Sequence, residues 1–429
     1  MRVAVVTKIF PSSLEPLSAP FNRQQISELA RLCEVDVFVA IPHVPLSRVL
    51  AIPERAARLA ALPAGERLHG LNVTYVRQLY VPRVGLSVAV PLYLSSLLAH
   101  RNRLRAADVV LATWAYPDGC AAVLAARSLG KPCVVKVHGS DVNVVLKRRA
   151  ARLVAGQVLP RADAVVAVSR PLAEELVRLG VARGRVQVVP NGVDATLFSP
   201  RDRSAARRLL GIPPDVRLVI FVGRLEPQKG VGELLDAFER VRRQVPRAML
   251  ALIGSGVSEG DTRARIGTFP VGTARALGPL PHHEVAAWMG ASDVLALPSW
   301  AEGTPNVVLE ALASGRPVVA TAVGGIPDLL ADRRAGILVP PKDAPTLASA
   351  LCAALCREWS EQDVRACGPA SWSQSAAALY EVLLRASALP SPQRRAPRGS
   401  GWQDFCRAGP GAWPAWKEGE FSAKRVRNG

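Results

Sequence analysis

The chain has 429 residues, 49% of them hydrophobic, and a formal net charge of +19 at neutral pH. That length and apolar content suit two domains of about 200 residues each. No stretch reaches the roughly 20 apolar residues of a membrane span, and the opening RVAVVTKIF reads as a strand, not as a signal peptide's long apolar region.

The charge is unevenly placed. Residues 1–198 hold 25 Lys and Arg against 13 Asp and Glu, residues 199–388 hold 21 against 19, and residues 389–429 hold 8 against 3. The excess therefore sits in the first half and the tail. Basic surfaces attract nucleic acid and anionic lipid headgroups alike. A nucleic-acid binder is disfavoured, because the cations lack interleaved aromatics and no RNA-binding signature is present. An anionic membrane surface stays as a candidate partner. The seven cysteines form no CxxC pair and fall mostly in apolar or helical surroundings, as reduced thiols of a cytoplasmic protein do.

In chain order, the first half alternates short apolar strands with helical stretches. Strands are expected at Val3–Val6, Val35–Ile41, Val73–Val76, Val109–Ala112, Val134–Val137, Ala164–Val168 and Val186–Val189. Helices are expected at Gln24–Leu32, Cys120–Leu129 and Pro171–Leu179, and Leu86–Ala99 reads as a core helix despite Pro91. Such alternation predicts a parallel, doubly wound sheet with ligands beyond the carboxyl ends of its strands. Two strand ends carry polar turns: Tyr116-Pro117-Asp118-Gly119 and His138-Gly139-Ser140-Asp141. A charged, proline-flanked linker is expected over Arg201–Pro214.

The second half opens with strand Arg217–Val222 and the loop Gly223-Arg224-Leu225-Glu226-Pro227-Gln228-Lys229-Gly230. Arg224 and Lys229 put two cations before a helix start, a pairing that suits a diphosphate. Strand Ala248–Ile253 ends in Gly254-Ser255-Gly256, whose Gly254 is assigned to the same side of the site. The segment that follows shows no amphipathic helix. Next come a short apolar strand, Val294–Leu297, and the stretch PSWAEGTPNVVLEALASGRPVVATAVGGIPDLL, which together read as strand, loop, helix, strand, loop. Thr304 takes the cap position and Pro305 the first helical position. Helical stretches follow at Ala344–Leu355 and Ala376–Ala388.

Glu302 and Glu310 mark this unit. Eight residues on one helix would separate them by roughly 80°, so Glu302 is placed before the helix and Glu310 on it, one turn after Asn306. An anion docked on the amides of Asn306 and Val307, beside Gly303, would have the helix dipole behind it. Glu302 would then meet a polyhydroxylated group on one side and Glu310 one on the other. A nucleotide diphosphate-sugar has that shape.

The run from Ser292 to Asp328, with Glu-Gly-x-Pro-Asn, Ala-x-Gly-x-Pro-Val-Val-Ala and Gly-Gly-Ile-Pro, resembles the retaining glycosyltransferases of family 4, sugar-nucleotide-dependent enzymes of the two-domain GT-B fold. The resemblance covers roughly residues 1–388. It implies a first domain over residues 1–198 on the acceptor side, a donor domain over 199–370, and a helix over 371–388 crossing back onto the first domain. The basic residues 389–429 lie beyond it and read as a disordered tail. It also implies that His138 lies near the transferred sugar, and that Tyr116, Asp118, Gly139 and Asp141 line the acceptor side of the cleft. Two departures stand out. Asp328 occupies a position where relatives usually have Glu, and the loop after the first strand has Ala19-Pro20 where many members carry a glycine pair.

The expected activity is metal-independent transfer of a sugar, with retention, from a nucleotide diphosphate-sugar to a glycan or lipid-linked acceptor. The expected place is the cytoplasm, at the inner face of the membrane. His138, Glu302, Arg224 and Lys229 form the expected catalytic set. A sugar-nucleotide 2-epimerase of the same fold is the alternative, but the first domain shows no added cluster of acids and bases for it. Residues 144–154 are expected to form one basic amphipathic helix, with Val145, Arg148, Arg149 and Arg152 at three- and four-residue steps and Leu146, Ala150, Leu153 and Val154 on the other side, either lying on a membrane surface or packing its apolar face on the sheet.

Overall fold

The computed structural model describes residues 1–16, 18–43, 53–79 and 85–388. The expected disordered tail lies outside the described residues. Two sheets organise the chain. The first holds β1 (Arg2–Thr7), β2 (Glu34–His43), β3 (Gly65–Leu68), β4 (Leu71–Leu79), β5 (Val109–Ala112), β6 (Cys133–Val137), β7 (Ala164–Ala167) and β8 (Val186–Val188) in the order β3-β4-β2-β1-β5-β6-β7-β8. All its pairings are parallel except β3 with β4. The second holds β9 (Arg217–Val222), β10 (Ala248–Ile253), β11 (Ala274–Gly278), β12 (Val294–Leu297), β13 (Val318–Thr321) and β14 (Gly336–Val339) in the order β11-β10-β9-β12-β13-β14.

The strands form where the sequence is apolar in unbroken runs, because a parallel sheet is covered on both faces. β5, β7, β12 and β13 have every residue buried. In each sheet the order reverses at the central strand, β1 or β9, so the adjacent loops at the carboxyl ends part and leave a crevice. His138, Arg224, Gly254 and the loop of Glu302 all follow such strand ends.

Three expectations about local structure are corrected. The segment expected as a linker contains a helix, Arg203–Leu210, whose start is capped by the Asp202 carboxylate accepting from the Ser204 amide. Arg203 and Arg207 tie it to Asp293. A helix, Glu259–Ile266, forms in the segment that showed no amphipathic pattern, and β11 follows it; with Thr262 its one buried residue, the helix carries little apolar pattern to read. Residues 144–154 do not form one helix. A 3-10 turn over Val145–Lys147 and the extended backbone of Arg148 precede a helix, Arg149–Val158. That helix buries Ala151, Ala155 and Val158 and leaves Leu153 67% exposed, so the expected apolar face is divided.

The last helix, Trp372–Ala388, crosses back as expected; it begins one residue after the 371–388 span that the resemblance implies and four residues before the helical stretch read at Ala376–Ala388. Its Ala376, Leu379, Val382, Leu383 and Ala386 share a core with Val3, Val5, Val109 and Val134 of the first sheet. Among the described residues, no helix is long and apolar enough to cross a membrane.

Candidate active site

The loop over residues 298–305 joins β12 to the helix Asn306–Ala313, and it is stitched to the loop after β9. The Trp300 amide donates to the Gln228 carbonyl at 2.8 Å, and the Trp300 ring nitrogen to Glu233 at 2.9 Å. This brings Lys229 to Glu302. Their Nζ and Oε1 lie 2.6 Å apart, and the Ser299 hydroxyl donates to the same oxygen at 2.7 Å. The ion pair is largely buried, with the two side chains 22% and 9% exposed. Arg224 does not join it. Its guanidinium is 72% exposed and pairs with Glu226 at 2.8 Å.

The helix starts one residue later than expected. Pro305 is its cap residue, and Thr304 caps nothing. The Thr304 hydroxyl instead donates to the Val168 carbonyl of the first domain at 3.1 Å. With no side-chain cap, the first amides, of Asn306 and Val307, have no carbonyl one turn before them. The Asn306 side chain is held from the first domain by Asn191, 2.9 Å away. Gly254 turns through φ 132°, and a Cβ there would collide with the Gly223 carbonyl. Only glycine lets these two loops pass at that distance.

Glu310 sits one turn into the helix with its side chain 13% exposed. Burial pushes its carboxyl up to about 7. Its nearest basic group is the His282 ring, 3.9 Å away, and burial pushes His282 the other way, toward the neutral form. His282 follows a Pro-Leu-Pro turn that gives no sequence signal of a role.

Across the seam, His138 packs between Phe21 and Trp114, with ring centroids 4.9 and 6.4 Å away. Among the described residues, neither ring nitrogen has a hydrogen-bond partner. Burial, followed by the charge of Lys136, holds the imidazole well below its usual range and hence neutral. The other residues of the two polar turns divide. Asp141 is fully buried, and its carboxylate accepts from the amides of Ala115, His138 and Gly139 at 2.8 to 3.1 Å, so it builds the turns from within. Tyr116 is 1% exposed in the first core. Asp118 is buried, and among the described residues no side chain hydrogen-bonds its carboxylate. Burial raises it to about 6, opposed chiefly by Lys8, whose ammonium lies 5.2 Å from the Trp114 ring.

The loop after β1 manages without the glycine pair. Ala19 takes the left-handed conformation (φ 43°) before the helix Pro20–Leu29. Asn22 secures the turn by donating to Thr7, the Ile9 carbonyl and Thr113. Asp328 is exposed in the short helix Ile326–Leu329.

The two halves touch backbone to backbone. A Cβ on Gly139 would lie 2.5 Å from the Gly303 Cα, and the Asn143 side chain donates to the Glu302 carbonyl at 3.2 Å. Two doubly wound domains facing each other across a seam, with a helix start, a lysine and two glutamates on one side and a neutral histidine on the other, define a transferase of the GT-B fold.

Comparison with known proteins agrees. Residues 21–197 match the family described as Glycosyltransferase Family 4, and residues 216–357 match Glycosyl transferases group 1. A Bacillus subtilis protein named for teichuronic acid biosynthesis, the glycosyltransferase TuaC, is 32% identical over 371 residues, 82% of this chain and 88% of its own. The D-inositol 3-phosphate glycosyltransferase 2 of Catenulispora acidiphila is 34% identical over 288 residues, 61% of this chain and 67% of its own. Anabaena HepE, solved in complex with UDP, shares the fold with a TM-score of 0.66 at 19% identity, over 90% of this chain and 100% of its own. A Rickettsia africae glycosyltransferase gives 0.67 at 15% identity, over 91% of this chain and 99% of its own. The chain belongs to family 4 of the glycosyltransferases.

Glu310 generates a stability prediction. A carboxyl raised on folding keeps its proton while the unfolded chain releases it, so stability falls as pH climbs from the ordinary carboxyl range to about 7. Glu310→Gln cannot ionise and removes that slope. Urea denaturation at pH 5 and pH 8 should show the wild type losing about 2–3 kcal/mol relative to the variant. Parallel pH profiles would contradict the burial of this carboxyl.

Proposed function

We propose that this glycosyltransferase moves a sugar, with retention, from a nucleotide diphosphate-sugar to a hydroxyl of a lipid-linked or glycan acceptor in cell-surface polysaccharide synthesis. The observation that carries the donor reading is the uncapped helix start at Asn306, flanked by the Lys229–Glu302 pair and by Glu310. The relative named for teichuronic acid biosynthesis supports the acceptor class, and the UDP complex of HepE is in keeping with a nucleotide donor.

Cleavage of the bond from the anomeric carbon to phosphate leaves charge growing on the diphosphate. The amides of Asn306 and Val307, with Lys229 and Arg224, supply positive charge where it develops, usually the largest contribution in such sites. No divalent ion is assigned a role. Lys229 is engaged by Glu302 in this structure, so the arriving diphosphate competes for it and releases Glu302 toward the sugar hydroxyls. Glu310 accepts hydrogen bonds from the ribose. His138, being neutral, contributes a hydrogen bond to the sugar and no full charge. The leaving phosphate takes the proton of the acceptor hydroxyl.

Titration with UDP and GDP, followed by transfer assays, tests this assignment. Glu310→Ala should weaken nucleotide binding, whereas Glu302→Ala should slow transfer more than it weakens binding. Lys229→Ala and Arg224→Ala should each raise the barrier to transfer by about 2–4 kcal/mol, the scale of losing one such donor. Turnover should survive EDTA. Equal losses of nucleotide affinity in the two glutamate variants, or turnover that requires a divalent ion, would contradict the reading.

The acceptor domain carries the basic excess, and we place it against anionic lipid at the cytoplasmic face of the membrane. Lys147, Arg148 and Arg149 are exposed beside the exposed apolar side chains of Val144 and Leu153. Arg152 contributes less, being paired with Glu175 at 2.9 Å. Each free cation near such a surface adds about 1 kcal/mol. Co-sedimentation should show binding to anionic but not neutral vesicles, lost when Lys147, Arg148 and Arg149 are neutralised. Unchanged binding after those substitutions would rule this surface out.

A further inference from the structure

A lysine lies inside the apolar strand β6, Cys133-Val134-Val135-Lys136-Val137, and it is 0% exposed. Cys133, Val135 and Val137 face one core of the first domain, while Val134 faces the core that the crossover helix completes. By strand alternation Lys136 shares the Val134 face. No carboxylate lies within ion-pair distance of it among the described residues. Burying an ammonium without a counter-charge is costly, and burial alone brings its pKa down to about 7. A position serving packing alone would hold another valine.

The partners of Lys136 show what it holds. Its Nζ donates to the side-chain carbonyl of Gln25 on the helix Pro20–Leu29 and to that of Asn191 at 3.0 Å. Gln25 passes a hydrogen bond to Ser375 of the crossover helix at 2.9 Å, and Ser375 donates to the Pro190 carbonyl at 2.6 Å. Asn191 passes one in the other direction, to Asn306 at the start of the donor-side helix. The two connections between the domains meet at the same place, with Val193 and Ala370 bonded at 3.1 Å and Trp372 and Val193 at 3.2 Å. Gln25, Lys136, Asn191 and Ser375 are each 4% exposed or less. The cation therefore orients two buried amides, and one of them grips the residue that opens the helix.

We propose that Lys136 is a positioning residue for the donor site: by orienting Asn191 it fixes Asn306, and with Asn306 the helix amides on which the nucleoside diphosphate rests. The role of those amides rests on the function proposed above; the mechanical link from Lys136 to the helix does not. Lys136 touches neither substrate. It acts through Asn191 and couples the seating of the second domain on the first to the donor site.

Amide hydrogen exchange on the full-length protein without ligand tests the link directly. Lys136→Met keeps the length of the side chain and removes its donors. The amides of residues 308–311 should exchange about tenfold faster, the scale of losing one hydrogen bond to a charged group. Asn191→Ala should do the same, and the double variant should add nothing to either single one. Protection in β1 and β5 should stay as in the wild type. Unchanged exchange at 308–311, or a rise spread evenly over the first domain, would overturn the proposal. Should Lys136→Met fail to fold, Asn191→Ala decides by the same criterion. Titration with UDP and GDP separates the two claims. Binding by wild type that is weakened about tenfold in both variants supports the positioning role in the donor site. Binding of equal strength in all three proteins overturns it. Wild type that binds neither nucleotide sinks the donor reading, and the exchange data still decide the link.

Discussion

The contact of Gly303 with Gly139 is the constraint on which the site depends. Neither position has room for a Cβ, since each backbone occupies the place where the other's methyl would go. That approach brings the Glu302 loop against the turn that carries His138. It also allows the Thr304 hydroxyl to reach Val168 and the Asn143 amide to reach the Glu302 carbonyl. Because Trp300 ties the same loop to the loop after β9, Lys229 follows it into place. The Lys229–Glu302 pair and the turn of His138 are thus brought together through rigid backbone and not through long, adaptable side chains; under the proposed function, this sets the geometry for transfer in advance.

A second theme is that charge is withheld until it is needed. Glu302 and Lys229 neutralise each other, Glu310 is raised by burial, His138 is held neutral, and Lys136 is buried against neutral amides. Each of these costs stability when considered alone. An anion arriving at the helix start would be met by a lysine that need only exchange one carboxylate for another. A ribose reaching Glu310 would meet an acceptor whose ionisation its hydroxyls favour. These unfavourable placements gather at one seam, as strained or desolvated groups do at functional sites.

Much of this was legible in the sequence, for physical reasons that differ by element. β5, β9, β10 and β12 were readable to the residue, because strands buried on both faces carry unbroken apolar runs that polar turns terminate. β3 was not, since Gly65–Leu68 is a half-exposed edge strand with no such run. The helix Arg203–Leu210 was hidden by its charges, although Asp202 before it and Gly211 after it are ordinary boundary signals. Lys229, Glu302 and Glu310 were identifiable from spacing and from the family resemblance. Their pairing was not, because a loop's partner depends on which loops the sheet order brings together. Thr304 shows the same limit: its side chain suits a helix cap, but a carbonyl of the other domain holds it. The network of Lys136 escaped for want of long-range contacts, even though a lysine within four apolar residues was an available clue.

The measurement that bears most directly on this account is transfer by Gly303→Ala, made together with nucleotide binding and thermal unfolding of the same protein. A methyl at this position pushes the Glu302 loop off His138 while leaving both cores intact. The account predicts a folded protein in which transfer falls on the order of 100-fold, the scale of misplacing reacting groups by about 1 Å, and falls by more than nucleotide affinity does. Transfer at the wild-type rate in a folded, nucleotide-binding Gly303→Ala protein would contradict it.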